Sequence, residues 1–378
     1  MMQHLNDLDR ELLKVSLSPI ARLLDDPEVT DIMVYGSKRV YARRRGTDFD
    51  PVETSWLSDQ DLMTAAKTIA RHMARRLDSN DPILDARLPD KSRVNIVIDP
   101  CYDRGACIAI RKFPADHFSW ADLVEFGSID PAGVIIIEAL VNLGKNTLIS
   151  GGTGSGKTTL LNCLCSCIRQ SDIVVTVEDA REISLRSEMW VALETKHTLH
   201  TEDREVTLRD LVRTSLRMNP RWIIVGEVRG AEALDLVRAF NTGHYGAGTI
   251  HANSAYDSLL ALESLILQSG LDVPARAVKE MVSRAIQIVI QLSQLPDHSR
   301  KVVEIAEVEG LDYDRSVDFP PYKLRNLYRF EFSHYDPDSN AMGQFVVRNH
   351  PSWLQDLKLV PGYQLPDFWE KRRTYAAS

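Results

Sequence analysis

The chain has 378 residues, of which 44% are hydrophobic and 26% are charged. This composition is typical of a water-soluble globular protein of two or three domains, and it excludes a disordered or fibrous chain. Acidic residues outnumber basic ones by 53 to 45, so the chain as a whole lacks the basic character of a nucleic-acid-binding protein. No apolar run approaches the roughly 20 residues of a membrane-spanning helix. Because Met1–Arg10 carries no export signal, we expect a cytosolic protein.

The cysteines argue against a disulfide framework, because their number is odd and the chain has no export signal. Three of the five alternate along a predicted helix, which turns the middle thiol away from the other two, and no histidine lies nearby to complete a metal site. We therefore expect these three to be packing residues: Cys163, Cys165 and Cys167.

The first third of the chain predicts a small α+β domain. Its predicted elements are a short amphipathic helix at Ser18–Leu24, a hairpin formed by Asp31–Gly36 and Val40–Ala42, a helix over Leu62–Leu77 capped at Ser58, and strands at Val94–Ile98 and Cys107–Ile110. The following segment, Pro114–Asp130, is the best linker candidate, because it carries a proline, a glycine and several capping residues before a helix that opens near Pro131.

From Pro131 onward the pattern changes to alternating strands and helices, which predicts a parallel sheet covered by helices. The predicted elements are strands at Asn146–Ser150, Ile173–Val177, Trp222–Val225 and Gly248–His251, with helices at Thr158–Ile168 and Ala231–Asn241. After Gly310 the chain becomes rich in aromatics and prolines, with strand-like pieces at Tyr328–Phe332 and Gln344–Val347. We therefore divide the chain into an amino-terminal lead segment (1–17), an α+β domain (18–113), a linker (114–130), an α/β domain (131–310) and a carboxy-terminal appendage (311–378). The sequence indicates no role for the appendage.

A complete phosphate-binding loop lies between the first of these strands and the helix that follows it, which is where the mechanism of such a loop requires it. Its glycines let backbone N–H groups surround phosphate oxygens, and the helix adds its positive dipole end. Lys157 neutralises terminal phosphate oxygens, and the Thr158 hydroxyl can bind Mg²⁺. The predicted phosphate-binding set is Gly151, Gly152, Thr153, Gly154, Ser155, Gly156, Lys157, Thr158 and Thr159.

Two further blocks place carboxylates at strand ends, where the ligand crevice of an open α/β sheet lies. In the block Glu178-Asp179-Ala180-Arg181-Glu182 we predict that Glu178 acts on Mg²⁺ and water; the alternative is a helix cap by Asp179 with a solvated Glu182. The strand Trp222–Val225 ends in Gly226-Glu227, and Gly226 stands where many phosphate-loop enzymes have a Mg²⁺-binding aspartate. Glu227 must therefore orient the attacking water, hold the metal through water, or do both, unless it is a plain strand-end glutamate.

Two histidines lie in the glycine-rich segment 242–253. Either one alone would more often be a packed or exposed residue. Beside a phosphate loop they predict a sensor, in which His251 donates a hydrogen bond to the γ-phosphate and the loss of that phosphate releases the segment. We include His244 as a second, nucleotide-contacting candidate.

The phosphate loop, the two acidic strand-end blocks and the histidine segment form four motifs in a fixed order. In these motifs the chain resembles the traffic ATPases of type II secretion, type IV secretion, conjugation and pilus assembly. The resemblance covers Ser18 to Gly310, and the block from Pro82 to Asn95 is most like the tight-adherence (CpaF-type) pilus branch and its type IV secretion relatives, although Lys91 replaces the usual turn glycine. It implies an α/β fold: a RecA-like ATPase domain preceded by a smaller α+β (PAS-like) domain. It also implies a ring of six subunits that hold ATP and Mg²⁺ between the two domains.

The resemblance gives arginines a role, since in this family the amino-terminal domain directs arginines toward the phosphates of the nucleotide. The matching positions are Arg93 and Arg111, with Arg217 and Arg229 of the ATPase domain as weaker candidates. A planar, permanently charged guanidinium is suited to stabilising charge on a transferring phosphoryl group. For each of these arginines the alternative is a surface ion pair.

The amino-terminal domain contains a positively charged cluster of arginines, although the net charge of the whole chain is negative: Arg43, Arg44, Arg45, Arg71, Arg75 and Arg76. The default interpretation is a solvated face. The functional one is an anionic partner, either the cytoplasmic leaflet or the acidic tail of an inner-membrane platform protein. The sequence has no stretch in which basic and aromatic residues alternate, which is the pattern that would predict binding to a nucleic-acid strand.

The leading hypothesis is therefore an ATP-hydrolysing hexameric motor, with Lys157, Glu178, Glu227 and His251 as catalytic residues and Thr158, Glu178 and Glu227 as metal-binding ones. We expect it in the cytoplasm, peripheral to the inner membrane. The alternative is a nucleotide-gated scaffold of the same machine with negligible turnover. A nucleic-acid helicase on the same fold is disfavoured by the acidic balance, because it would need a basic channel.

Overall fold

The structure, a computed structural model, describes residues 13, 15–44, 47–73, 75–113, 118–196, 205–270, 273–315, 318–362 and 366–370. Some residues used in the predictions lie outside these ranges. They are the start Met1–Arg10, which carries no export signal, Arg45 of the arginine cluster and Pro114 of the predicted linker. The chain divides into two compact units, 1–116 and 117–378. Within the described ranges, no helix is long and apolar enough to cross a bilayer.

In the first unit, the described strands form one antiparallel sheet in the order β3-β2-β1-β6-β5-β4. The elements are β1 (Val29–Tyr35), β2 (Arg39–Arg44), β3 (Phe49–Val52), β4 (Ile83–Arg87), β5 (Arg93–Ile98), β6 (Ala106–Arg111), α1 (Ala21–Asp25), which follows a 3-10 turn at Ser18–Ile20, and α2 (Asp59–His72). The predicted hairpin and strands are confirmed. The two strands that sequence analysis missed, β3 and β4, are the edge strands, whose exposed faces weaken the alternating pattern.

The predicted helix of this unit is confirmed at its start and is shorter at its end. Ser58 Oγ accepts the N–H of Asp61, as expected of an N-cap. The helix ends at His72 rather than Leu77, and the N–H of Arg75 bonds to the Ala70 carbonyl at 2.8 Å, five residues back rather than the four of an α-helix. Lys91, at the position of the usual turn glycine, has a φ of +72°.

In the second unit, the described strands form one sheet in the order β15-β14-β13-β12-β7-β11-β10-β8-β9. The strands are β7 (Thr147–Gly151), β8 (Val174–Glu178), β9 (Trp190–Glu194), β10 (Trp222–Val225), β11 (Tyr245–Ile250), β12 (Ile288–Gln294), β13 (Arg300–Leu311), β14 (Tyr322–Tyr335) and β15 (Ala341–Val347). The strands from β12 to β9 pair in parallel, which confirms the predicted parallel sheet, while β13, β14 and β15 add antiparallel pairs at one side.

Helices cover both faces of this sheet. They are α3 (Trp120–Glu125), α4 (Pro131–Asn142), α5 (Lys157–Ser166), α6 (Leu208–Ser215), α7 (Glu232–Asn241), α8 (Ala255–Leu267), α9 (Ala275–Ala285) and α10 (Asp367–Glu370), with 3-10 turns at Leu216–Met218 and Ser352–Leu359. Successive strand residues alternate between the two cores: Ile149 packs with α4 and α5, whereas Leu148 packs with α7, α8 and α9. Cys163 and Cys165 are buried in the first of these cores, as the packing interpretation predicts.

The carboxy-terminal segment, predicted as an appendage, is integrated into the second unit. Strand β14 pairs with β13 along most of its length, and Tyr328 in β14 donates its hydroxyl hydrogen to Asp130 Oδ1 at 2.8 Å. Asp130 also caps α4 by accepting the N–H of Gly133. Leu327 and Leu357 are fully buried in the same core. The segment therefore completes the hydrophobic core on one face of the sheet.

Candidate nucleotide site

The predicted active residues follow the carboxyl ends of four neighbouring parallel strands. The register pairs Val225 of β10 with Val177 of β8 and with Gly248 of β11, and it pairs Ile250 of β11 with Ser150 of β7. The residues at these strand ends, or one or two positions beyond them, therefore meet at one edge of the sheet. These residues are Gly151, Glu178, Glu227 and His251.

The phosphate loop connects β7 to α5 at this edge, and its backbone conformation requires glycine. Gly154 and Gly156 have φ values of +74° and +97°, in the left-handed region. Ser155 is buried and donates its hydroxyl hydrogen to the Gly152 carbonyl at 2.8 Å. Thr153 is exposed, and Thr158 and Thr159 are half-buried at the first turn of α5. The loop is thus closed by its own side chain while the start of α5 stays accessible.

Lys157 lies beneath the loop and is buried. Its Nζ donates to the carbonyl oxygens of Gly151 and Gly152 at 2.9 and 2.8 Å. Burial lowers the pKa of Lys157, although the negative charge of Glu227 acts to raise it. The ammonium is therefore held at the loop by carbonyl oxygens and by the charge of Glu227.

Glu227 and His251 form a continuous contact with Lys157. Glu227 Oε1 lies 2.7 Å from His251 Nε2, and Lys157 Nζ lies 3.4 Å from His251 Nδ1. Because an ammonium can only donate, His251 Nδ1 accepts, and its Nε2 then carries the hydrogen that it gives to Glu227. The other oxygen of Glu227 accepts from Arg229 Nη2 at 2.7 Å, and Arg229 also lies 3.7 Å from Asp179. Three of the predicted site residues and one weaker candidate are thus directly connected.

Glu178 is the buried acid of the site. Its Oε1 accepts the backbone N–H groups of Glu182 and Ile183 at 2.8 and 2.9 Å, and its Oε2 is buried without a hydrogen-bond partner among the described residues. Burial raises its pKa to about 7, against the opposite effect of these two hydrogen bonds. A Cβ atom on Gly226 would lie 3.0 Å from Glu178 Cγ. A side chain at position 226 would therefore crowd Glu178.

The side chains at this edge fit a Mg²⁺ ion that is held mostly by phosphate oxygens and water. Within the described ranges, no group of three or more histidine, cysteine or acidic side chains forms a metal site. Mg²⁺ at phosphate sites usually keeps several waters and takes only one or two protein ligands. The unpaired Oε2 of Glu178 is an acceptor that the ion or one of its waters would satisfy. Thr158 and Glu178 are the residues that would hold it.

Two predicted nucleotide contacts lie at the opposite edge of the sheet. His244 precedes β11, and its Nδ1 lies 3.2 Å from the Ala239 carbonyl at the end of α7. Strand β11 separates it from His251 by about 20 Å, at roughly 3.3 Å per residue. Arg217 is exposed in the 3-10 turn that precedes β10. The structure therefore does not bring His244 or Arg217 to the phosphate loop of their own chain, because both come before their strands rather than after them.

Arg93 and Arg111 belong to the first unit, where they lie directly opposite each other in β5 and β6. Like charges at facing positions destabilise a strand pair, and here Asp31 supplies a compensating negative charge to Arg111. Arg111 Nε donates to Asp31 Oδ1 at 3.1 Å, and Arg43 Nη2 donates to Asp31 Oδ2 at 2.7 Å. Burial alone would raise the pKa of Asp31, but the hydrogen bonds from Arg43 and the charges of both arginines hold it below its ordinary value. Arg43 of the predicted basic face is thus engaged within the unit.

One residue at the phosphate loop was missed by sequence analysis. Arg300 Nε donates to the Gly154 carbonyl at 2.7 Å, across 146 positions of the chain. No motif marks Arg300, since it opens an antiparallel strand in a stretch without glycine-rich or acidic patterning. Only the pairing of β12 with β7 and β13 brings it to the loop.

Because the pKa of the buried Glu178 is raised, we expect the stability of the fold to depend on pH. Because the folded-state pKa of Glu178 lies above its ordinary value of 4.5, its contribution to stability is complete below pH 4.5 and is lost as the pH rises through about 7. We expect Glu178→Gln, which keeps the acceptor for both N–H groups, to raise the free energy of unfolding by up to about 3 kcal/mol at pH 8 and by little at pH 5. Denaturant unfolding without Mg²⁺ measures this. The exposed control Glu125→Gln should show no pH trend, and a Glu178→Gln difference that is flat with pH would contradict the prediction.

With this geometry established, comparison with known proteins decides the family. The model of the family described as "Type II/IV secretion system protein" matches residues 14–321. The chain belongs to this family. A putative conjugal transfer protein of Mycobacterium tuberculosis is similar to it, with 33% identity over 291 residues that cover 75% of this chain and 82% of that protein.

Within the type II/IV secretion family, the similarity extends to named secretion components. The type IV secretion system protein VirB11 of Bartonella henselae is 28% identical over 373 residues, covering 87% of this chain and 99% of that protein. Among solved structures, the pilus retraction motor PilT with bound ADP has a TM-score of 0.54 at 20% identity, covering 75% of this chain and 78% of that one. The predicted superfamily and fold class, a RecA-like ATPase domain preceded by a smaller α+β domain, are confirmed.

Proposed function

We propose that this chain is the ATP-hydrolysing subunit of a six-membered ring that powers secretion, conjugation or pilus assembly at the cytoplasmic face of a bacterial inner membrane. The observation that carries the proposal is the continuous contact from Lys157 through His251 to Glu227 across the phosphate loop. A structural glutamate at a strand end would need no such link to the phosphate-binding lysine.

Binding of ATP follows from the loop and from the start of α5. Backbone N–H groups of the loop, together with the positive end of the helix dipole, bind the phosphates. Lys157 neutralises the terminal phosphate oxygens. Mg²⁺, held by Thr158 and Glu178, would neutralise charge on the β- and γ-phosphate oxygens.

Hydrolysis requires a water molecule placed in line with the γ-phosphate, and Glu227 is the acid placed to orient it. His251 holds Glu227 Oε1 and Arg229 holds Oε2, so the carboxylate has a fixed direction. When nucleotide binds, His251 would transfer its Nε2 hydrogen bond from Glu227 to a γ-phosphate oxygen; Arg229 would keep the carboxylate oriented, and the released Oε1 would accept from the attacking water. Arg229 would stabilise the charge of the transferring phosphoryl group. Arg93 and Arg111 stay proposed nucleotide contacts on the basis of the family resemblance.

The assembly and its location complete the proposal. VirB11 and the conjugal transfer relatives are named as parts of secretion or transfer systems, which supports a membrane-bound partner such as an inner-membrane platform protein. The predicted arginine cluster of the amino-terminal domain, in which Arg43, Arg44 and Arg76 also pair with acids of the same unit, is the proposed contact with that partner or with anionic lipid. No direct nucleic-acid contact is proposed, because the net charge of the chain is −8.

Phosphate release from Mg·ATP by the purified full chain tests this function. We expect turnover that needs Mg²⁺ and that Lys157→Ala reduces by more than about 100-fold, because the terminal phosphate loses its cation. The exposed control Lys67→Ala should leave turnover unchanged. Wild-type protein that binds ATP in ring form, with anionic lipid present, but releases no phosphate would overturn hydrolysis and leave the nucleotide-gated scaffold.

A further inference from the structure

The turn that joins β12 to β13 lies against the phosphate loop. Strand β12 is parallel to β7 with Leu292 opposite Gly151, so β12 ends where the loop begins. The chain then reverses and returns as β13, whose first residue, Arg300, faces Gln294. The turn from Gln294 to Arg300 therefore occupies the sheet edge that also carries the phosphate loop.

Arg300 contacts the loop at its two positive-φ glycines. Its Nε donates to the Gly154 carbonyl at 2.7 Å, and its Cδ lies 3.5 Å from where a Cβ on Gly156 would be. A loop that directs its N–H groups at phosphate must direct carbonyl oxygens away from it. A guanidinium that binds one of those carbonyl oxygens from outside favours this arrangement, and it adds a positive charge beside the phosphates.

Internal hydrogen bonds fix the shape of the turn that presents Arg300. Asp297 Oδ1 accepts the N–H and the hydroxyl of Ser299 at 3.0 and 2.7 Å. Asp297 Oδ2 accepts the N–H of Ala341, the first residue of β15, at 2.6 Å. Burial alone would raise the pKa of Asp297, but these hydrogen bonds hold it below its ordinary value and so favour the ionised carboxylate. The turn is thus hydrogen-bonded to the carboxy-terminal hairpin, which consists of β14 and β15.

We propose that Arg300 is a positioning residue of the phosphate loop, held in place by Asp297 and the carboxy-terminal hairpin. It binds the Gly154 carbonyl so that the loop N–H groups converge on the phosphates of the nucleotide. This proposal rests on the nucleotide-binding role of the loop, and it assigns a role to part of the segment beyond residue 310.

Equilibrium binding of Mg·ADP to the full chain tests the proposal. Arg300→Gln removes the charge, and its amide N–H can replace the charge-assisted hydrogen bond to Gly154 only by a weaker neutral one, so we expect the dissociation constant to rise about tenfold. Arg300→Lys keeps the charge and should raise it by less than about threefold. The matched control is Arg315→Gln, whose side chain is 77% exposed and paired with Asp312. This control should bind Mg·ADP as the wild type does.

A second variant and a second measurement separate positioning from stability. Asp297→Asn keeps the Arg300 side chain but weakens the hydrogen bond from Ala341 that helps to position it. We expect an affinity loss of about threefold. The unfolding temperature without nucleotide should stay close to that of the wild type in Arg300→Gln, while the rise that Mg·ADP produces should shrink. Wild-type affinity in Arg300→Gln overturns the proposal, and so does a fall in nucleotide-free stability that accounts for the whole loss.

The readout keeps the two proposals distinguishable. A wild-type chain that binds Mg·ADP but never hydrolyses ATP overturns the proposed motor, while the comparison of Arg300→Gln with Arg315→Gln still decides the role of Arg300. A wild-type chain that binds no nucleotide overturns both proposals.

Discussion

Replacing Glu227 with glutamine is expected to lower the turnover number for ATP by between about 100- and 10,000-fold, the range attributed to a positioned acid or base. The amide cannot replace the carboxylate, because both oxygens of Glu227 face donors, His251 Nε2 and Arg229 Nη2. One of these donors would meet the amide NH₂ group and lose its acceptor. Single-turnover phosphate release with saturating Mg·ATP measures the effect.

Nucleotide affinity should change far less than turnover, since Lys157 and the loop remain intact. The matched control is Glu125→Gln, an exposed glutamate at the end of α3, which should behave as the wild type does. A Glu227→Gln variant with wild-type turnover would refute the assignment of this acid. A loss of affinity with little change in turnover at saturating Mg·ATP would instead show that Glu227 acts in binding.

Replacing Leu357 with alanine is expected to lower the free energy of unfolding by about 2–5 kcal/mol, as for other fully buried leucines. Leu357 has no exposed surface and packs in the core formed by α4, α5 and β14. A cavity there would cost stability only if the carboxy-terminal segment is part of the domain core, as the bond between Tyr328 and Asp130 indicates. Denaturant unfolding followed by circular dichroism measures the change.

The same 3-10 turn supplies the control. Leu359 lies two residues further on and is 81% exposed, so Leu359→Ala should change stability by no more than about 0.5 kcal/mol. Equal, small effects of the two substitutions would mean that the segment beyond residue 310 is a detachable appendage. In that case the two-unit division of the chain would need a third, independent unit.

Much of the site was predictable because its signals are local. The phosphate loop needs glycine at Gly154 and Gly156 for backbone reasons that act within a few residues. The acids Glu178 and Glu227 come at the ends of short, strongly apolar strands, and His251 follows a short glycine-rich one; parallel strands place such residues at one edge. The pattern therefore predicted which side chains would meet without any knowledge of strand order.

Other features of the site could not be predicted from such patterns. The sequence shows Gly226 only as the position of a missing aspartate, whereas the structure shows that a side chain there would crowd Glu178 of the neighbouring strand. His244 shares a glycine-rich segment with His251 but lies at the opposite end of β11. Sequence proximity thus suggested a joint role that the length of the strand does not allow within one chain.

By itself, the sequence determined the family, the alternation of strands and helices, and the identity of the phosphate-binding residues. These properties depend on side-chain type, backbone freedom and spacing over short stretches of chain. Only the tertiary structure decided that Arg300 reaches the phosphate loop and that the carboxy-terminal strands complete the core. Those contacts join residues 146 and 198 positions apart, and they depend on strand order and register, which are set by the packing of the whole sheet rather than by any local pattern.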